Sequence, residues 1–488
     1  MLAPATARSA CPKAPGGLPD AIAAVGCTIM AAMSAPSRRQ FLQNVAVLGA
    51  PASAASSQAA GGPPNFVILF ADDLGYGDLG CYGSPTIRTP NLDRMAEEGL
   101  RFTSFYAAAS VCTPSRVGLL TGRYAVRAGQ PNNTGPDTVG GLPLGEILLP
   151  QVLKARGYRT MIIGKWHLGF QPKEYLPTSR GFDAWFGLPY SNDMIPPWVK
   201  TTRPLRLYRD SEPVGELSDQ SDLTPRYTEE ALRFIRSSRE QPFFLYLAYS
   251  MPHLPISVPE ARRGRSRGGL YGDVIETLDW SVGEILRALK ELGLDDRTMV
   301  LFTSDNGPWH NLPPRMLAKG VERWHTGSKG PLRGAKGTTY EGGFRVPGII
   351  RWPGVVRPRQ VCMDMVSTLD LFPTVVRAAG ASMPKDRVYD GADLMPLLRD
   401  GKPSPRSRFY YFLGETLEAV REGPWKYRFA RARSESGPVK EPPVAELFNL
   451  EWDPAELYNL YDRYRSEAER LAAAMKRFAE EVKAKLAT

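Results

Sequence analysis

Asn65-Phe66-Val67-Ile68-Leu69-Phe70 is an almost continuous apolar run that leads straight into Asp72-Asp73. A strand with one wet face alternates apolar and polar residues, whereas a strand covered on both faces does not need to. The run therefore predicts a buried strand with an acidic pair at its carboxyl end. Three further runs repeat the arrangement. Residues 158–164, centred on Met161-Ile162-Ile163, deliver Lys165-Trp166-His167; residues 242–249 deliver Met251-Pro252-His253; residues 298–303 end at Asp305-Asn306-Gly307. Helix-like segments at 91–98, 148–156 and 273–292 stand between them, stopped by Gly99, Gly157 and Gly293. Strands alternating with helices predict an α/β fold: a large, mostly parallel central sheet with helices on both faces. Ligands bind such sheets beyond the carboxyl ends of the strands. Four ends carrying Asp-Asp, Lys and His, His, and Asp-Asn predict one shared site.

The C-terminal part reads differently. Residues 408–413, 419–421, 425–429 and 446–450 are short, aromatic-rich strand candidates separated by turns, which predicts a small antiparallel sheet. A closing helix follows, with Leu471, Met475, Phe478, Val482 and Leu486 at three- and four-residue steps to pack against it. The expected organisation is a leader over 1–63, a catalytic domain over 64–405 and a small α+β domain over 406–488. There is no internal repeat.

At 488 residues, with 43% hydrophobic and 23% charged residues, the composition excludes a disordered chain. The net charge is +10, and the leader contributes Arg8, Lys13, Arg38 and Arg39 against Asp20. The remaining excess is mild and favours anionic ligands, but no nucleic-acid-binding signature accompanies it. Arg262-Arg263-Gly264-Arg265-Ser266-Arg267 reads as a solvated loop. Five scattered cysteines exclude a disulfide scaffold and metal-finger spacing; Cys81 and Cys362 read as buried small hydrophobes. In the leader, Ser37-Arg38-Arg39-Gln40-Phe41-Leu42 precedes an apolar stretch at 45–50 and Pro51-Ala52-Ser53-Ala54-Ala55. That is the layout of a twin-arginine export signal cleaved near Ala54, which implies the twin-arginine translocase as a partner and a periplasmic or extracellular destination. The apolar stretch is far short of the roughly 18 residues that span a bilayer.

Cys112-Thr113-Pro114-Ser115-Arg116 lies where coil turns to helix, with Pro114 suited to a first turn. Cys112 would then sit at the positive end of the helix dipole, a place that suits an anion. Taken together, Asp72-Asp73-Leu74-Gly75-Tyr76-Gly77-Asp78, the Cys112 string with Thr121-Gly122-Arg123, Gly164-Lys165-Trp166-His167-Leu168-Gly169, Pro189-Tyr190-Ser191-Asn192-Asp193, Asp305-Asn306-Gly307-Pro308 and residues 336–345 resemble the type I sulfatases. The likeness is greatest to the arylsulfatase A-like branch of the alkaline phosphatase superfamily, and it covers nearly all the chain after Pro64.

The resemblance implies that a formylglycine-generating or sulfatase-maturating enzyme oxidises Cys112 to formylglycine. A hydrated aldehyde carries two hydroxyls: one attacks sulfur and expels the alcohol, and deprotonation of the other ejects sulfate and restores the aldehyde. By the same resemblance Asp72, Asp73, Asp305 and Asn306, with residue 112, would bind Ca²⁺ or Mg²⁺, in keeping with their hard oxygen donors. Arg116 would hold the formylglycine hydroxyl, Lys165 and Ser191 the sulfate, and His167 would be the base. His253 and Lys336 would bind sulfate and help protonate the leaving oxygen. His310 and His325 read as structural or exposed. The implied substrate is an aryl sulfate or a sulfated sugar. A phosphoester or phosphonate hydrolase on the same scaffold is the alternative enzyme, and a binding protein with an unmodified Cys112 is the alternative outside catalysis.

Overall fold

The computed structural model describes residues 62–431 and 442–487, with the backbone alone of 433–434 and 437–438. The export signal read at 37–55 lies outside the described residues. The opening run forms the strand Asn65–Ala71, buried along its whole length. It pairs in parallel on both sides, with Val67 opposite Val300 of Thr298–Ser304 and opposite Leu245 of Phe243–Ala248. Arg159–Lys165 and Ala184–Leu188 continue the parallel order. These five strands form the middle of an eleven-stranded sheet.

The unbroken apolar sequence follows from this placement. Val67 and Leu69 enter one apolar cluster, whereas Phe66, Ile68 and Phe70 enter another on the opposite face. Each such side chain is worth about 1.5–3 kcal/mol when fully buried, so neither face tolerates a polar residue. Helices Pro90–Glu97, Leu223–Ser237 and Gly269–Glu291 cover the first face; Cys112–Thr121, Leu149–Lys154 and Leu371–Ala378 cover the second. Antiparallel strands join both flanks of the sheet. Arg345–Arg351 runs against both Thr298–Ser304 and Leu100–Tyr106, and Arg206–Arg209 with Glu212–Glu216 closes the other edge.

The second sheet is an antiparallel meander of Arg408–Leu413, Thr416–Glu422, Trp425–Ala430 and Val444–Asn449. Its aromatic residues share one apolar cluster with Tyr106 and Phe344 of the large-sheet region. The closing helix, Arg465–Val482, buries Leu471, Met475 and Val482, while Phe478 stacks on Tyr410 with ring centroids 3.8 Å apart. One expectation fails here. Lys483, at φ 55°, ends the helix, and Leu486 belongs to the strand Lys485–Leu486 beside Thr416–Glu422, not to the helical stripe. A second also fails in part: Cys81 and Cys362 are unpaired and only partly buried, because Cys81 lies in the turn Gly80–Tyr82, none of whose residues is buried, and Cys362 on the edge strand Gln360–Cys362. Among the described residues no helix is long and apolar enough to cross a membrane.

Candidate active site

The strand ends converge. Asp72 and Asp73 follow Asn65–Ala71, Lys165 ends its strand, His167 lies two residues beyond it, His253 follows Phe243–Ala248, and Asp305 and Asn306 follow Thr298–Ser304. Ser191 comes after Ala184–Leu188, and Cys112 opens the buried helix Cys112–Thr121 with the extended Val111 as its cap. The turns are tight. Asp73 and His167 hold positive φ values of 66° and 60°, a region that Asp and His enter more readily than most residues. A Cβ on Gly164 would lie 1.8 Å from the Ala248 carbonyl oxygen, so only glycine lets Lys165 leave its strand at this point.

Every residue named from the sequence for the chemistry lies in this cluster. Lys165 Nζ donates to Asp72 Oδ2 at 2.6 Å and to Ser191 Oγ at 3.1 Å. Arg116, fully buried, donates to Asp305 Oδ2 at 2.9 Å and to the Lys165 carbonyl at 3.0 Å, and lies 3.3 Å from Asp72. Lys336 Nζ reaches both Asp73 oxygens, at 2.6 and 2.8 Å, and Cys112 Sγ at 3.4 Å. The Cys112 thiol in turn lies 3.5 Å from Asp72 Oδ1. His253 presents Nε2 to Asp73 at 3.5 Å, while its Nδ1–H donates to the Leu254 carbonyl at 2.6 Å. His167 uses Nε2–H to donate to the Thr134 carbonyl at 2.8 Å, which leaves a buried Nδ1 without a hydrogen-bond partner in the protein.

Burial and neighbouring charge set the protonation states. Burial, then Lys165 and Arg116, hold His167 well below the ordinary histidine value, so it stays neutral with its Nδ1 lone pair free. Burial opposes ionisation of Asp72, yet Lys165, His253 and Arg116 hold it well below the carboxylate range. Asp305 is pushed up to about 7 by burial and by the charge on Asp72. Burial also drives the Cys112 thiol above its usual range in spite of Lys165 and Lys336. As a plain thiol it would be a weak nucleophile.

The donor set suits a hard divalent cation. Asp72, Asp73, Cys112 and His253 bring ligand atoms within 4.8 Å of one another. Asn306 Oδ1 is buried without a hydrogen-bond partner, while its Nδ2 donates to Asp73 Oδ1 at 2.7 Å. An orphan buried acceptor among carboxylates, one of which resists losing its proton, is what a cation held by oxygen would satisfy.

Two contributors escaped the sequence reading. Trp309 packs against His253, ring centroids 5.6 Å apart, and lies under the Lys336 ammonium at 4.8 Å. Its place three residues after Asn306 was the available signal. Thr134 accepts from His167 out of an irregular segment that gives no signal at all. Residues Glu341–Phe344 form a short buried helix, and a Cβ on Gly307 would lie 1.8 Å from the Gly342 carbonyl oxygen.

Known proteins resemble this chain over most of its length. A family model described as sulfatase matches residues 64–381, and one for the C-terminal part of N-sulphoglucosamine sulphohydrolase matches 335–485. The chain is 43% identical over 384 residues to N-acetylgalactosamine-6-sulfatase of Rattus norvegicus, covering 75% of this chain and 71% of the relative. It is 41% identical over 455 residues to arylsulfatase A of Homo sapiens, covering 85% and 87%. Among solved structures it is similar to a sulfatase from Pseudoalteromonas sp., with a TM-score of 0.75, 30% identity and 86% and 91% coverage. It is also similar, at a TM-score of 0.71 and 29% identity over 86% and 93% of the two chains, to Ps i-CgsB in complex with k-i-k-neocarrahexaose. A phosphonate monoester hydrolase of Agrobacterium radiobacter shares the fold at 21% identity, with a TM-score of 0.57 over 86% and 96% of the two chains.

Proposed function

This chain belongs to the sulfatase family and is a sulfuric ester hydrolase, and from that premise we propose that formylglycine made from Cys112 is its nucleophile, acting on the sulfate ester of a saccharide or an aryl alcohol. One observation carries the reading: the Cys112 thiol, buried at a helix start, stands between Asp72 and Lys336 with its acidity suppressed by burial. An unmodified thiol is poorly suited there, whereas an oxygen nucleophile at that carbon faces cations on several sides. Conversion of the Cys112 side chain to an aldehyde is a two-electron oxidation with loss of sulfur, so a separate maturation enzyme must supply the oxidant. The hydrated aldehyde supplies paired hydroxyls, one to attack sulfur and one whose deprotonation expels sulfate.

The remaining steps fall to this chain's own residues. Lys165, Lys336 and Ser191 offer donors to the sulfate oxygens, and preorganised donors of this kind are commonly the largest catalytic term. Arg116 is fixed by Asp305 and the Lys165 carbonyl, and it orients the group on residue 112. His167, neutral and with Nδ1 unpaired, takes the proton whose loss releases sulfate. His253 and Lys336 stand together to protonate the departing alcohol oxygen. Asp72, Asp73, Asp305 and Asn306 would hold Ca²⁺ or Mg²⁺, which supplies charge neutralisation and lowers the pKa of the attacking hydroxyl.

The solved oligosaccharide complex of a relative supports a sulfated saccharide as the substrate. The leader supports export by the twin-arginine translocase. That route carries folded chains, which places maturation of Cys112 before translocation. The test is mass spectrometry of the Cys112 peptide from protein made in the native cell, paired with sulfate release by Cys112→Ala. An aldehyde at residue 112 and an inactive variant are expected; a plain thiol in active enzyme, or an active C112A, would overturn the reading. Kinetics on a sulfate and its matching phosphate ester decide against a phosphoester hydrolase if sulfate is preferred.

A further inference from the structure

Residues 308–333 leave the site after Asp305-Asn306-Gly307 and return to it just before Lys336, with only a short turn at Pro314–Leu317 as regular structure. The loop is braced along its length. Trp309 packs against His253 and Lys336. His310 Nε2–H donates to the Gly327 carbonyl at 2.6 Å. Next to it, the Ser328 N–H donates to Asp78 Oδ1 at 2.6 Å and the Ser328 carbonyl accepts from Gly77 N–H at 2.8 Å, tying the loop to the segment that follows Asp72-Asp73. Leu312 and Met316 are fully buried, Arg315 donates to the Trp198 carbonyl, and Lys319 Nζ lies 5.5 Å from the centre of the Trp198 ring.

On this braced loop one residue is out of place for packing. Trp324 is 73% exposed, although an indole is a costly side chain to leave in water. Its turn is fixed by the Glu322 N–H, which donates to His325 Nδ1 at 3.1 Å, and by the His325 N–H, which donates to the Glu322 carbonyl at 3.0 Å. His310 and His325 thus serve the shape of the loop. Trp324 lies three residues from Gly327, at most about 10 Å along the chain from the contact with His310. The loop also carries Arg315, Lys319, Arg323, Lys329 and Arg333 against its one acid Glu322, with Arg333 already engaged by Glu446 at 3.4 Å and by the Glu456 carbonyl at 2.8 Å.

We propose that residues 308–333 form a binding arm for an anionic saccharide chain, with Trp324 stacking on a sugar ring beyond the one that bears the scissile sulfate. The proposal rests on the sulfatase reading and names the substrate class within it: a sulfated oligo- or polysaccharide. A sugar ring has an apolar C–H face that an exposed indole can cover, and sulfates or carboxylates repeated along the chain meet the cations of the arm. A small aryl sulfate is too short to use either. The arm starts at Trp309, which packs against His253 and Lys336 of the site.

The test uses the full chain and two readouts. In the Cys112→Ala background, which holds substrate without turnover, binding of chondroitin sulfate is titrated at low and at moderate salt. W324A is expected to weaken binding about tenfold and W324F to retain most of it, with affinity falling as salt rises. In matured enzyme with Cys112 intact, W324A is expected to release sulfate from p-nitrophenyl sulfate at the parent kcat/KM. Parent protein that fails to bind the polysaccharide, or W324A that binds it as tightly as the parent, overturns the arm. So does a W324A effect that coincides with a change of oligomeric state in light scattering, since Trp324 would then cover a second copy of the chain. Matured parent enzyme inert toward every sulfate ester would instead sink the sulfatase reading and leave the binding result standing.

Discussion

Replacing Lys426 by methionine should unlock the loop that carries Lys336, although Lys426 belongs to the second sheet. Its Nζ lies 3.0 Å from Glu341 Oε1 and 2.8 Å from Glu456 Oε1, and all three side chains are fully buried. Glu456 Oε2 accepts the Glu341 N–H at 2.7 Å, and the hydroxyls of Tyr411 and Tyr106 donate to the Glu341 carboxylate. Against burial, Lys426, Arg421 and Arg345 hold Glu341 down to about 2, whereas burial and the charge on Glu341 push Glu456 up to about 7 despite Lys426. Removing the ammonium leaves two buried carboxylates facing each other. Breaking a buried pair in this way costs about 3–5 kcal/mol. The loss depends on pH. Glu456, raised above its unfolded value, contributes stability below about pH 4.3 that fades as pH rises through 7; Glu341, depressed, contributes above about pH 4.3 and loses it as pH falls toward 2. At pH 5.5 Glu456 already carries its proton, so Lys426→Met should cost up to about 1 kcal/mol less there than at pH 7.5. Urea unfolding followed by tryptophan fluorescence at the two pH values measures both quantities, and adding Glu456→Gln should restore part of the loss. A loss below about 1 kcal/mol at pH 7.5, or an equal loss at both pH values, would refute the reasoning. The Glu341 segment carries Gly342, whose N–H donates to the Arg333 carbonyl at 2.7 Å, so kcat should fall as well.

Two further outcomes follow from the site. His167→Asn should lower kcat by about 10²-fold or more with KM little changed. Because His167 is held below its ordinary value, the acid limb of the parent profile should lie below about pH 6.5; a limb above that value that persists in H167N would remove His167 as the base. Chelation should abolish sulfate release and lower the unfolding midpoint, with Ca²⁺ or Mg²⁺ restoring both, because an ion bound only by the folded state stabilises it. If Asp305→Asn and chelator leave activity and midpoint alike untouched, the acidic cluster does not hold a cation.

What was legible in the sequence were places where burial stops abruptly. Asp72-Asp73, Lys165 and Asp305-Asn306 each follow a run apolar on both faces, so the change from packing to chemistry shows in the residues themselves. Leu100–Tyr106 and Arg345–Arg351 were missed because their pairing is non-local: Leu100 lies opposite Ile350, far away in the chain, and nothing in either segment gives direction. The same holds for Leu486, whose spacing continues the helical stripe although Lys483 has already turned the chain. Thr134 was hidden because a backbone carbonyl accepts from His167, and a carbonyl has no residue identity.

The largest omission was the dependence of one sheet on the other. Glu341-Gly342-Gly343-Phe344-Arg345 has the composition of a local turn, yet its acid is neutralised by Lys426 and its backbone is held by Glu456, 85 and 115 residues away. Anchored by a buried ion triad and by the packing of Phe344 against Tyr411, with ring centroids 4.9 Å apart, it cannot shift without exposing or unpairing a charge. Among the described residues the C-terminal sheet thus places no side chain beside Cys112, but it holds the segment that follows Lys336.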